Sequence, residues 1–180
     1  MRKRAPKLAE SELFEYSVRY LAQRSCSSEE LRSKLRMRAE KLDDVNGVIE
    51  RLKDIGYLDD RKFAESFALN RAENDGFGRM RVLSDLRGRR VTPGLAEKTV
   101  AEVFEDKDEA ALIDAFIERR MPSLAVQPRI EDQKDLAKAY RRLRRAGFSS
   151  GGVLAALKRR AARPEEIEEP VEDEEAEDAG

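Results

Sequence analysis

The sequence predicts an all-α fold: a tandem array of three three-helix repeats, elongated and curved, with a disordered acidic C-terminal tail. Three observations lead there. Apolar residues recur at three- and four-residue spacing through most of the chain, and no stretch alternates as a half-buried strand would. Helix start and stop signals punctuate the sequence at short intervals. One internal register superposes the buried faces of successive helices at three places.

The elements follow in order. Residues 1–10 are basic, contain Pro6, and are expected to form a loose arm. From Ser11 a first helix turns Phe14, Val18 and Leu21 inward. Ser27-Ser28-Glu29-Glu30 is a capping box, and Leu31 and Leu35 continue the second helix. Asp43 or Asp44 caps a third, with Val45, Val48, Ile49 and Leu52 on its buried face. Gly56 ends that helix with positive φ, Tyr57 and Leu58 staple it to the next, and Asp59 caps a fourth helix that buries Phe63 and Phe67. After a turn at Gly76-Phe77-Gly78, a fifth helix carries Met80, Leu83 and Leu86. Thr92-Pro93 opens a sixth, with Ala96, Val100 and Val103 inward. Asp108 caps a seventh, with Leu112, Ile113, Phe116 and Ile117 inward. Pro122 and Pro128 make residues 121–129 a loop. The last two helices run through Leu136, Tyr140 and Leu143 to Gly147, and from Ser149 or Ser150 through Val153 and Leu157.

The repeat rests on aligned positions. Taking Leu35, Leu86 and Leu143 as equivalent puts Leu31, Val82 and Ala139 four residues earlier. The same register puts Val45, Ala96 and Val153 ten residues later, and Ile49, Val100 and Leu157 fourteen later. It therefore fits two helices and the link between them. The expected divisions are an arm at 1–10, repeats at 11–57, 58–106 and 107–163, and the tail at 164–180.

Composition limits the chemistry. Charged residues make up 41% of the chain, and histidine and tryptophan are absent, which removes the commonest general base and metal ligand. The single cysteine, Cys26, excludes an internal disulfide framework and a thiolate zinc cluster. Gly76-x-Gly78 follows a helix and lacks a third glycine, so it is not read as a phosphate loop. Asp59-Asp60 is read as a cap and a helix-dipole partner, not as a metal pair. No catalytic residue, cofactor site or metal site is therefore expected. No apolar run is long enough to span a bilayer and the basic N-terminus lacks a signal-peptide core, so the cytoplasm is the expected compartment and a monomer the expected state.

Charge is the positive signal. The formal net charge is −1, but residues 164–180 hold ten Asp/Glu and no Lys/Arg. Residues 1–163 therefore carry 36 basic against 27 acidic side chains, a net +9. Two arginine clusters stand out as candidate partner-binding residues: Arg79, Arg81, Arg87, Arg89 and Arg90, and Arg141, Arg142, Arg144 and Arg145. The guanidinium fork suits carboxylate and phosphate recognition. Neither the helix from Pro93 nor that from Ser150 displays base-reading side chains, so the reading is backbone or protein binding and not sequence-specific DNA recognition. The opposite charges of body and tail also suggest that the tail competes for the basic face, more strongly at low salt.

Four stretches together resemble the RecX family, regulators of the RecA recombinase. They are Ser28-Glu29-Glu30-Leu31-Arg32-Ser33-Lys34-Leu35, Gly56-Tyr57-Leu58-Asp59-Asp60 with Phe63-Ala64-Glu65-Ser66-Phe67, Gly76-x-Gly78-x-x-Arg81 with Leu86 and Val91, and Arg144-Arg145-Ala146-Gly147-Phe148-Ser149. The resemblance spans about residues 13–160. It implies tandem three-helix repeats, binding within the groove of RecA filaments on DNA, suppression of strand exchange, ATP hydrolysis and coprotease activity, and weak DNA binding. Where the family commonly ends its second helix with Lys-Gly, this chain has Ala39-Glu40, so that turn must be made otherwise. Gly151 and Gly152 are expected to weaken the start of the last helix.

Overall fold

The computed structural model describes residues 7–126 and 132–161. Ten helices account for most of these residues: α1 (Glu10–Gln23), α2 (Ser28–Arg36), α3 (Asp43–Asp54), α4 (Asp60–Glu73), α5 (Arg79–Gly88), α6 (Pro93–Phe104), α7 (Glu109–Arg120), α8 (Pro122–Val126), α9 (Gln133–Arg145) and α10 (Ser150–Arg160). No strand occurs among the described residues; Leu8 and Ala39 form an isolated bridge. The expected acidic tail, and the part of the proline loop from 127 to 131, lie outside the described residues.

The repeat register holds in three dimensions. Leu35, Leu86 and Leu143 are each fully buried, and so, to within 2% of full burial, are Leu31, Val82, Ala139, Val45, Ala96, Val153, Ile49, Val100 and Leu157. A three-helix unit thus recurs, with the same two helical faces inward each time.

The chain divides into two compact units. The first comprises Met1–Asn74 and Val82–Asp106; the second comprises Asp75–Arg81 and Lys107–Gly180. In the first unit α1, α2 and α3 pack on one another, and α4 packs on α6. Its largest cluster gathers Leu13, Leu31, Leu35, Ile49, Leu52 and neighbours. In the second unit α10 packs on α7 and α9, and α8 on α7. The core there includes Ile113, Ile117, Leu143, Phe148 and Leu157, with the Phe116 and Phe148 rings edge to face at 5.7 Å.

Local signals explain most helix ends. The Ser27 hydroxyl accepts from the Glu30 N–H at 3.1 Å, and the Glu30 carboxylate accepts from the Ser27 N–H at 3.3 Å, closing the capping box. The Asp59 carboxylate accepts from the N–H groups of Arg61 and Lys62, both at 3.0 Å. The Lys62 bond, foremost, holds its pKa below the ordinary carboxylate value. Gly56 has φ +77°, and the Tyr57 N–H reaches back to the Leu52 carbonyl at 2.9 Å.

Other expectations need correction. In α1 the innermost residues are Leu13 and Ser17, while Phe14, Val18 and Leu21 are only half-buried. Ser17 can be buried because its hydroxyl donates to the Leu13 carbonyl at 2.7 Å. Leu58 is buried but Tyr57 is 56% exposed, so only one residue of the pair acts as a staple. Met80 on α5 is exposed, whereas Val82 is buried as the repeat register expects. Phe67 is half-buried beside Phe63. Neither Asp43 nor Asp44 caps α3; the cap position is Leu42, which has no side-chain cap bond. Pro122 begins the short helix α8 where a loop was expected, as proline suits a first helical position.

Residues 7–9 are not loose. The Leu8 N–H donates to the Arg38 carbonyl at 2.8 Å, and the Glu40 N–H donates to the Leu8 carbonyl at 2.9 Å. This bridge makes the α2–α3 turn that lacks a glycine. At the equivalent turn after α5, Arg90 adopts φ +58°; after α9, Gly147 adopts φ +94°. A side-chain-bearing residue in this left-handed region costs roughly 1–2 kcal/mol. Arg90→Gly should therefore raise stability by about 0.5 kcal/mol, after allowing for glycine's greater unfolded-state entropy. A lower thermal midpoint for that variant would contradict this account.

Gly152 has a packing role. A Cβ there would lie 2.6 Å from Glu109 Oε2. The carboxylate of Glu109 accepts from the Ser149 N–H at 2.7 Å and from the Ser149 hydroxyl at 2.5 Å. Ser149 in turn caps α10 through the Gly152 N–H at 3.0 Å. The start of α10 is thus anchored, not weakened.

Candidate partner-binding surface

The nine candidate arginines separate into two settings. In the second unit, the turn before α5 meets the end of α9. The Gly78 N–H donates to the Ala146 carbonyl at 2.8 Å, and the Met80 N–H donates to the Gly147 carbonyl at 3.1 Å. A Cβ on Gly78 would sit 2.5 Å from the Gly147 carbonyl, and one on Gly147 would sit 2.5 Å from Arg81 Cβ. The two backbones can approach this closely only because both residues are glycines. Gly76-x-Gly78 is therefore a packing device.

That contact brings together arginines some sixty residues apart in sequence. Arg79 and Arg81 begin α5; Arg141, Arg142, Arg144 and Arg145 end α9. Arg144 is partly buried and donates to the Phe148 carbonyl at 2.7 Å, across the helix end. Arg142 donates to the Arg120 carbonyl. Arg81 lies over the Phe77 ring at 5.5 Å. Arg79, Arg141 and Arg145 are exposed and have no hydrogen-bond or ion-pair partner among the described residues. Three cations near the C-terminal end of α9 also offset its dipole, which accounts for part of this cluster without any ligand. Arg159 and Arg160 both pair with Asp114, at 3.2 and 2.9 Å.

The first-unit arginines are more committed. Arg89 pairs with Glu30 at 2.6 Å, donates to the Ser25 carbonyl at 3.1 Å, and lies over the rings of Phe63 and Phe67 at 5.1 and 5.3 Å. Its own carbonyl accepts from the Ser27 hydroxyl at 2.6 Å. Asp60, adjacent to the α4 cap, accepts from the Ser28 N–H at 2.6 Å. Arg89 and Asp60 thus join the end of α5 and the start of α4 to the start of α2. Arg87 pairs with Glu97 at 2.8 Å, an exposed bridge of little energetic weight. Arg90 donates to the Ser33 hydroxyl.

Burial is the main cause that raises the Cys26 thiol to about 11, so the thiolate is scarce at neutral pH. A cleft of about 280 Å³ beside it is lined by Leu21, Tyr57, Leu58, Lys62 and Phe63, among others. Among the described residues, no group of three or more His, Cys, Asp or Glu side chains could hold a metal ion. None of their helices is long and apolar enough to cross a membrane.

Residues 59–100 match the model of the RecX second three-helix domain. The chain is 33% identical over 175 residues to the regulatory protein RecX of Deinococcus radiodurans, covering 93% of this chain and 80% of that protein. The chain belongs to the RecX family. Its similarity to regulatory protein RecX of Thermus thermophilus is 34% over 146 residues, covering 81% of this chain and 90% of the relative. The crystal structure of RecX from Lactobacillus salivarius matches with a TM-score of 0.68 at 18% identity, over 83% of this chain and 95% of that one, a likeness of fold. The chain is accordingly a RecX-family regulatory protein. The matched segment 59–100 contains both Asp60 and Arg89, so the RecX second domain carries one half of the joint to α2.

Proposed function

We propose that this protein binds RecA nucleoprotein filaments and inhibits their recombinase, ATPase and coprotease activities, thereby modulating DNA repair and the SOS response in the cytoplasm. The observation that carries the reading is kinship with regulatory RecX proteins over nearly the whole chain. The arginine surface supplies a physical means. Arg79, Arg141 and Arg145 present guanidinium groups without an ion-pair partner among the described residues, and these suit the carboxylates of a protein filament and the phosphates of its DNA. Arg81, Arg142 and Arg144 flank them, and Arg87, Arg89 and Arg90 form a second basic group. In this reading the repeats bounded at 11–57, 58–106 and 107–163 act as successive contact modules, and bridging adjacent filament protomers blocks the groove or promotes release. No catalytic step is required, and the protein acts as a monomer without a cofactor.

The test is DNA-stimulated ATP hydrolysis by RecA with and without this protein. Inhibition is expected, and its absence at saturating protein would refute the reading. The double variant Arg141→Ala/Arg145→Ala should weaken filament binding roughly tenfold, given the strength of charge-assisted contacts. A second reading is non-specific DNA binding without a recombinase partner, favoured by the net charge of residues 1–163. Salt separates the two. Affinity for bare DNA should fall with a log–log slope of about −0.9 per neutralised phosphate, whereas a filament contact should persist after bare DNA has dissociated.

A further inference from the structure

Met37 and Leu42 are 72% and 65% exposed, the most exposed large apolar side chains among the described residues. Both lie on the turn between α2 and α3. Single exposed apolar residues are ordinary. Here two share one short turn, and that turn is rigidly held. The Leu8 bridge clamps its middle, and Arg38 and Ala39 both donate to the Leu35 carbonyl at 2.8 Å. Ala39 is 2% exposed, so the turn's centre is anchored in the core while its shoulders face solvent.

The surroundings are charged, with a small excess of cations. Lys34, Arg36, Arg38 and Lys41 flank the two apolar residues, and the Lys7 ammonium donates to the Met37 carbonyl at 3.5 Å, against Glu40 within the turn and Asp43 and Asp44 just after Leu42. Arg38 and Lys34 lie over the rings of Tyr16 and Tyr20, at 5.0 and 4.6 Å, and these contacts position the cations without neutralising them. Arg36 reaches Glu29 only at 3.9 Å.

We propose that this turn is a protein-docking point, in which Met37 and Leu42 enter an apolar recess of an acidic protein surface. The chemistry favours protein over nucleic acid as the occupant. A phosphate backbone would satisfy the cations and leave the thioether and isobutyl groups in water. A protein recess rimmed by carboxylates satisfies both. Apolar anchors within a charged rim are the usual anatomy of such contacts, and a pre-formed turn loses little conformational entropy on docking. Methionine adapts its shape to the recess. The inference rests on the proposed function in naming the occupant, the protein component of the RecA filament.

The experiment uses the full chain carrying Met37→Gln/Leu42→Gln, with Lys41→Glu as a second variant. Binding is measured to RecA filaments on single-stranded DNA and to the same DNA bare, at several salt concentrations. The glutamine variant should bind filaments at least tenfold more weakly at every salt concentration, and bare DNA equally well. Its thermal midpoint should stay within about 2 °C of the parent, as surface substitutions usually do. Lys41→Glu should weaken filament binding mostly at low salt. Unchanged filament affinity in the glutamine variant, or an equal loss on bare DNA, would overturn the docking point. A parent protein that fails to bind filaments would instead overturn the proposed function, and with it the occupant named here.

Discussion

Gly147→Ala is expected to destabilise the second unit by about 3 kcal/mol, the sum of two separate penalties. The first is conformational: Gly147 has φ +94°, where an L-residue is strained. The second is steric. The new methyl group would meet the Arg81 backbone nitrogen, Arg81 Cβ at 2.5 Å and the Gly78 carbonyl oxygen at 2.8 Å. Two of these are backbone atoms that cannot rotate away, so the turn and α5 must separate from α9. The hydrogen bonds from Gly78 and Met80 to Ala146 and Gly147 would stretch with them. Amide exchange across α9 and α10 should accelerate on the order of a hundredfold, the counterpart of that free energy. Gly78→Ala isolates the steric part, because its φ is not positive and only the approach to Gly147 is lost. Exchange at the parent rate in both variants would show that the two backbones do not meet in solution.

Arg89→Ala is expected to cost the first unit about 2–3 kcal/mol, because it leaves the largely buried Glu30 carboxylate without its cation. Glu30 would keep only the Ser27 N–H, and the faces of Phe63 and Phe67 would lose their guanidinium cover. The substitution spares the bond that the Ser27 hydroxyl donates to the main-chain carbonyl of residue 89, so helix α2 stays capped. Arg89→Lys should recover only part of the loss, since a single ammonium cannot serve Glu30, the Ser25 carbonyl and two ring faces at once. Urea unfolding reads the effect directly, and a midpoint unchanged from the parent would exclude the joint described here. Any loss of filament binding in Arg89→Ala must then be judged against its lost stability, unlike a loss in Arg141→Ala/Arg145→Ala.

The register Leu35, Leu86, Leu143 and its companions could be read from the chain because helical periodicity and capping are properties of near neighbours. So could the Ser27–Glu30 box, the Asp59 cap and the positive φ at Gly56. The errors share a cause. Choosing the largest apolar residues as the inward ones placed Phe14 inside, but Phe14 is half-buried beneath the Arg51 guanidinium at 4.1 Å. The innermost position beside it went to Ser17, whose hydroxyl finds its own carbonyl partner. Val82, by contrast, is buried as its register with Leu31 requires, while Met80 on the same helix is exposed.

The sequence by itself determined that the chain is helical, that a three-helix unit recurs, and that its basic charge lies ahead of an acidic end. These follow from contacts three or four residues long and from composition. Only the tertiary structure decided what each arginine is free to do. Arg89 and Glu30 are 59 residues apart, Arg159 and Asp114 are 45 apart, and Gly78 meets Gly147 across a still longer interval. Such partners are chosen by how helices pack, and no local pattern encodes which cation will meet a carboxylate and which will face the solvent.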